Sequence, residues 1–140
     1  MSIAKVLGIE TEYGIIATGI ESSPITSSSL LINSYVSRFD SSIGWDFDAE
    51  RPGSDARGFS LDDVFPQDIE MNMVNTVLTN GARYYVDHAH PEVSTPECRT
   101  ASEAVLFDRA GEEIVRQSME AAKRVLPAGA ELVAYKNNSD

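Results

Sequence analysis

One cysteine, two histidines and eleven lysine or arginine residues in a chain of 140 set the first limits on its chemistry. Cys98 stands alone, so no intrachain disulfide forms and no cysteine pair is at hand for a metal; a buried or partly buried thiol is the plain reading. The bases are outnumbered by 22 acids, giving a formal charge of −11. That balance argues against a nucleic-acid backbone as the main partner, because neutralising phosphates needs Lys and Arg, and it disfavours an anionic membrane surface for the same reason. Cations fit it better. Long apolar runs are also missing: the opening MSIAKVLGIETEYG is interrupted by Glu10 and Glu12. It does not read as a signal peptide, and nothing in the chain is long enough to span a bilayer. No membrane partner is expected, and the cytoplasm is the expected compartment.

What is present suits one globular domain: hydrophobic content is 42%, with five Tyr, five Phe and one Trp. Residues 3 to 9 read as a strand that runs on to Gly14, which places Glu10 and Glu12 on one face, roughly 7 Å apart. A Ser-rich lead with Pro24 precedes a short helix expected over Ser28–Phe39. Asn75–Asp87 reads as a hairpin turning at Asn80-Gly81, where both central residues can take positive φ; Arg83, Tyr85 and Asp87 then share a face. Thr100 and Glu103 open a helix with a capping box, its apolar stripe running to Leu126 before Pro127 and Gly129 stop it. A third strand, AELVAYK, follows. One face of such a small sheet is left without a partner, so more chain or another subunit is expected to meet it.

Residues 40 to 68 differ from the rest. Eight acids and two arginines give this stretch −6, while Pro and Gly break any periodicity. Trp45, Phe47, Phe59 and Phe65 make it too aromatic for a simple linker. It reads as a mobile acidic insertion able to dock through those aromatics.

Chemistry concentrates in two places. Two carboxylates on one strand face repel unless one is protonated or a cation sits between them; Glu10 and Glu12 therefore suit a hard divalent ion such as Mg²⁺. GARYYVDHAHPEVSTPE, residues 81 to 97, holds both histidines, Asp87, Glu92 and Glu97. Asp87 ends a strand and suits a general base or nucleophile. His88 and His90 could serve zinc if acids completed the shell, Glu92 could join an oxygen-ligated Mg²⁺ site, or the whole could be a hydrogen-bonded polar loop. Pro91 and Pro96 argue against a regular strand here, with a bend returning Glu92 to the side of Tyr85 and Asp87. Arg57, Arg83, Arg99 and Lys136 are the nearest bases for a phosphate or carboxylate.

Four blocks in order, GIETEYGI, LTNGARYYVDHAHPEVSTPEC, DRAGE and YKNNSD, resemble the Pup ligase/deamidase family, relatives of glutamine synthetase and the carboxylate-amine ligases. One branch joins Pup, the prokaryotic ubiquitin-like protein, to lysines. The other converts the C-terminal glutamine of Pup to glutamate and removes Pup from conjugates. YVDHAHPE and the insertion WDFDAERPGSDARGFSL resemble the deamidase/depupylase branch. Val93 departs from the aromatic usual there, and a local packing change is expected.

The resemblance implies an α+β fold, an antiparallel sheet with helices on one face, forming the N-terminal part of a glutamine-synthetase-like catalytic domain over 1–140. It implies Mg²⁺ and ATP as cofactors, with Glu10, Glu12, Tyr85 and Glu92 at the metal, Asp87 as the catalytic aspartate, and Arg83 and His90 on the nucleotide side. Pup and pupylated proteins are the implied partners, with further chain beyond Asp140 completing the domain. A Pup–protein ligase and a catalytically incompetent fragment are the alternatives.

Overall fold

The computed structural model describes residues 5–39, 43–44 and 74–136. The chain forms strand β1 (Glu10–Glu12), β2 (Gly14–Thr18), helix α1 (Pro24–Val36), β3 (Ile43–Gly44), β4 (Asn75–Val77), β5 (Arg83–Asp87), β6 (His90–Ser94), helix α2 (Ala101–Ala122) and β7 (Glu131–Tyr135). Five strands make an antiparallel sheet in the order β1-β6-β5-β4-β3, and β2 pairs with β7 in a second, two-stranded sheet. The helices pack on each other and on β2, β5, β6 and β7. This is the α+β arrangement, helices on one side of an antiparallel sheet, that the sequence led us to expect. The expected insertion at 40–68 lies outside the described residues apart from β3.

Local sequence explains most boundaries. Ser23 caps α1, its Oγ accepting from the Thr26 N–H, and Pro24 occupies the first turn, where its missing N–H costs nothing. The helix therefore starts four residues before the expected Ser28. The Thr100 capping box on α2 forms as expected: Thr100 Oγ1 accepts from Glu103 N–H, and Glu103 Oε2 accepts from Thr100 N–H. The helix ends at Ala122 rather than Leu126, and Gly129 takes positive φ before β7.

The expected single strand from Ile3 to Gly14 is broken. Leu7 makes an isolated bridge to Cys98, and β1 stops at Glu12. Tyr13 N–H still donates to the Pro91 carbonyl at 2.9 Å, but Pro91 has no N–H to return the bond. The ladder ends there, and the chain leaves to begin β2 beside β7.

The core lies between the helices and the sheet. Tyr84 and Val86 of β5 and Val93 of β6 meet Leu31 and Ile32 of α1 and Val115 and Ala122 of α2. The fully buried Tyr84 hydroxyl donates to Ser118 Oγ at 3.2 Å, and that serine in turn donates to the Ile114 carbonyl. Gly111 explains how α2 comes so near β6: a Cβ there would lie 3.0 Å from Val93 Cγ1. Val93 thus sits directly under a glycine of the helix.

Asp108, one turn earlier on α2, joins the elements on this side. Its Oδ1 accepts from Thr11 Oγ1 of β1 at 2.8 Å, and its Oδ2 accepts from Lys136 Nζ, just past β7, at 2.8 Å. Burial pushes its carboxyl up, but the hydrogen bonds from Lys136 and Thr11 outweigh this and hold it below the ordinary value. A carboxyl held low in the folded state adds stability above its unfolded pKa and loses it as pH falls through the folded one. The gap in thermal midpoint between wild type and Asp108→Asn is therefore expected to be widest near neutrality and to close below about pH 4. Gly111→Ala is expected to cost about 1 kcal/mol in urea unfolding, overlap with Val93 exceeding the gain in helix propensity. Adding Val93→Ala should remove the overlap part of that cost.

Candidate functional site

The site is built on two successive hairpins, β4–β5 and β5–β6. The expected hairpin at Asn80-Gly81 forms between β4 and β5, but only Gly81 has positive φ; the Gly81 N–H donates to the Leu78 carbonyl and the Leu78 N–H to the Ala82 carbonyl, making a three-residue loop. A second turn, of two residues and not expected from the sequence, joins β5 to β6 at His88 and Ala89, with φ of 44° and 68°. Neither residue favours that conformation, so the turn is held from outside. Buried Ser28 of α1 donates to the Ala89 carbonyl at 2.9 Å. Pairing of Asp87 with His90 closes the hairpin, and Pro91 lies inside β6 opposite Val86. The expected bend is a hairpin, and Pro91 is accommodated in a regular strand.

This register decides which side chains meet. Glu12 pairs with Glu92 and Glu92 with Tyr85; Glu10 pairs with Ser94 and Ser94 with Arg83. Side chains directly opposite across antiparallel strands share a face. Glu10, Glu12, Arg83, Tyr85, Asp87, His90 and Glu92 therefore all project from the face away from the helices, while Thr11, Tyr84, Val86 and Val93 project towards them.

Hydrogen bonds link part of this set into a chain. The Tyr85 hydroxyl donates to Glu92 Oε1, lies 3.1 Å from Ser94 Oγ, and Ser94 donates to Glu10 Oε1 at 3.3 Å. Tyr85 and Glu92 are 3% and 5% exposed, so a carboxylate has been taken out of water with a phenol as its visible donor. Burial pushes the Glu92 carboxyl up to about 7; Asp87 and Glu10 add to the push, and the Tyr85 hydrogen bond and His88 oppose it. Burial, with the Glu92 carboxylate adding to it, also drives the Tyr85 phenol well upward.

The two histidines point to different acids. His90 Nδ1 lies 2.7 Å from Glu12 Oε1 without hydrogen-bond alignment, and among the described residues the nitrogen has no hydrogen-bond partner. The His88 backbone N–H donates to Asp87 Oδ1 at 3.0 Å, and its ring Nδ1 is 3.8 Å from Asp87 Oδ2. Among the described residues no three His, Cys, Asp or Glu side chains come together closely enough to hold an ion on their own. The donor set that does gather, Glu10, Ser94, Tyr85 and Glu92, is all oxygen. That chemistry fits a hard cation such as Mg²⁺ and not a nitrogen- and sulfur-seeking one. Arg83 lies flat over the Tyr85 ring, its Cζ 3.7 Å from the centroid, and its Nε donates to Asn75 Oδ1 at 2.9 Å.

Ser94, Ser28 and Asn75 belong to this architecture but were not singled out from sequence. A period-two count from Glu92 picks out Ser94; nothing local points to Ser28, which acts across 61 positions. Of the other bases considered, Lys136 lies on the helix side with Asp108 and Glu112, and Arg57 falls outside the described residues.

A family model described as Pup-ligase protein matches residues 5–140. The chain belongs to the Pup-ligase family. It is 44% identical over 97% of its length to a depupylase of Acidothermus cellulolyticus, and 41% identical over 97% to a Pup deamidase/depupylase of Mycolicibacterium smegmatis. Against a Pup–protein ligase of Bifidobacterium longum identity falls to 33%, again over 97% of the chain. This family member spans 29% of the length of the first two relatives and 23% of the third. Its fold matches a crystal structure of the complex between Pup and its ligase PafA, with a TM-score of 0.59 and 23% identity over 96% of this chain and 22% of that one.

Tyr85→Phe leaves Glu92 buried without the phenolic donor. In EDTA, urea unfolding of this variant is expected to show a loss of about 1–3 kcal/mol. Ser94→Ala, which leaves the Tyr85–Glu92 bond in place, should lose less.

Proposed function

We propose that this chain is the N-terminal, metal-holding and catalytic part of a glutamine-synthetase-like domain in a Mg²⁺/ATP-dependent Pup deamidase/depupylase. The observation that carries this reading is the register of β1, β6 and β5, which brings Glu10, Glu12, Tyr85 and Glu92 to one face with Asp87 at its end. Identity of 41–44% to proteins named for depupylation or deamidation, against 33% to a named ligase, supports hydrolysis over ligation.

Glu10, Tyr85 and Glu92 would hold the cation, with Glu12 beside them, and Arg83 and His90 would serve the nucleotide. When bound, Mg²⁺ supplies positive charge against the oxygen on which charge develops as an amide is attacked. The protein's own part is to fix Asp87. Its Oδ1 is engaged by the His88 N–H, which orients the carboxylate at the strand end. Asp87 supplies the electron pair, either to the amide carbon directly or by taking a proton from the water that attacks. The amide nitrogen gains a proton and leaves, as ammonia from glutamine or as the lysine amine from an isopeptide. The elements of water end in the glutamate carboxyl and the departing amine. Pup and pupylated proteins are the substrates, and cytoplasmic ATP is the nucleotide source this reading calls for.

The test uses the complete protein that carries this chain, with Mg²⁺, ATP and Pup ending in glutamine. Mass spectrometry is expected to show conversion to glutamate, falling about 10³-fold in Asp87→Asn. Glu10→Gln should raise the Mg²⁺ concentration needed for half-maximal rate. Attachment of Pup to lysines with no glutamine conversion would instead make the protein a ligase.

A further inference from the structure

β1 is a weakly held strand for the work assigned to it. It has three residues and, among the described residues, sits at the edge of the sheet and pairs on one side, with β6. Two of its three residues are carboxylates, facing a third, Glu92, across the ladder. Like charges on one face push such a strand away from its neighbour.

The middle residue, Thr11, points the other way and is tied down. It is 9% exposed, and its hydroxyl donates to Asp108 Oδ1 at 2.8 Å. Asp108 is itself fixed by Lys136, whose Nζ donates to its two oxygens at 3.0 and 2.8 Å and to Glu112 Oε1 at 2.9 Å. Lys136 follows β7 directly, β7 pairs with β2 through Gly14 and Tyr135, and β2 follows β1 after Tyr13 alone. A closed circuit results, running from β1 through Thr11, Asp108 and Lys136 to β7, then through β2 back to β1. On α2, Gly111 one turn beyond Asp108 lets the helix close onto Val93, the cross-strand partner of Thr11. Ladder and tie thus hold the same residue from two directions.

We propose that Thr11, Asp108 and Lys136 are positioning residues that fix the height and twist at which β1 presents Glu10 and Glu12. The proposal rests on the cation site assigned above. Thr11 touches no reacting atom; it acts through the backbone it shares with its two neighbours. Outer groups that hydrogen-bond a metal's ligands set affinity by about tenfold or more, and a tie through the backbone is expected to act in the same direction.

The probe is Mn²⁺ alone, titrated into the complete protein and followed by the paramagnetic resonance of the free ion, with thermal melting in EDTA alongside. Thr11→Val, close in shape but without the hydroxyl, is expected to weaken Mn²⁺ binding about tenfold. Thr11→Ser restores the hydroxyl and should return most of the affinity. Val115→Ala, in the core but outside the hydrogen-bonded tie, lowers the melting midpoint and should leave affinity unchanged; that separates positioning from general loosening. Wild-type affinity in Thr11→Val alongside a loss in Glu10→Gln overturns the tie alone, as does an equal loss in Val115→Ala. Unchanged binding in Glu10→Gln overturns the cation site, and the tie with it.

Discussion

Glu92 is a carboxylate withdrawn from water in the middle of a cross-strand row, with Glu12 on one side and Tyr85 on the other. Much of the architecture is organised around this one costly placement. The phenol of Tyr85 meets it, Ser94 extends the contact to Glu10, and Arg83 covers the tyrosine ring. A buried charge without such partners would be expelled or neutralised. Burial pushes its carboxyl up, with Asp87 and Glu10 adding to the push. An all-oxygen set around a buried acid suits a hard cation.

The opposite face of the same strands explains why that row stays in register. Tyr84, Val86 and Val93 bury against the two helices, and strand periodicity links their burial to the presentation of Tyr85, Asp87 and Glu92. The apolar face is a non-specific force made specific by polar ties: Ser28 at the hairpin turn, Ser118 on Tyr84, Asp108 on Thr11. Each joins a helix to a strand or to the turn between strands at one place. Packing supplies most of the stability, and these contacts choose which of several near-equivalent seatings the helices take.

Much of this was readable from residues alone, and the failures have physical causes. Alternation sufficed to place Glu10 with Glu12 and Arg83 with Tyr85 and Asp87, because side-chain direction on a strand is fixed by covalent geometry. The capping box at Thr100 was legible because both its partners lie within four residues. The turns were not. Asn80-Gly81 carries a strong turn signature, but a three-residue loop using only Gly81 satisfies it equally well. His88-Ala89 carries no signature at all; its conformation is imposed by the strands on either side and by a serine far away in sequence. Pro91 looked like a strand breaker because the sequence does not reveal that the position it spoils is the one where β1 is about to leave. The separate β2–β7 sheet follows from that departure.

The two-residue turn at His88 and Ala89 has one more consequence. It connects two strands whose faces alternate with a period of two, so its length carries a parity. A third residue inserted there with the rest of β6 shifted to match would turn Glu92 inward and swing Val93 out, exchanging an acid with a piece of the core. Length variation among natural or engineered versions of this protein should therefore be confined to other connections. The short link between the strand of Asp87 and the strand of the buried acid behaves as a fixed gauge rather than a tunable loop.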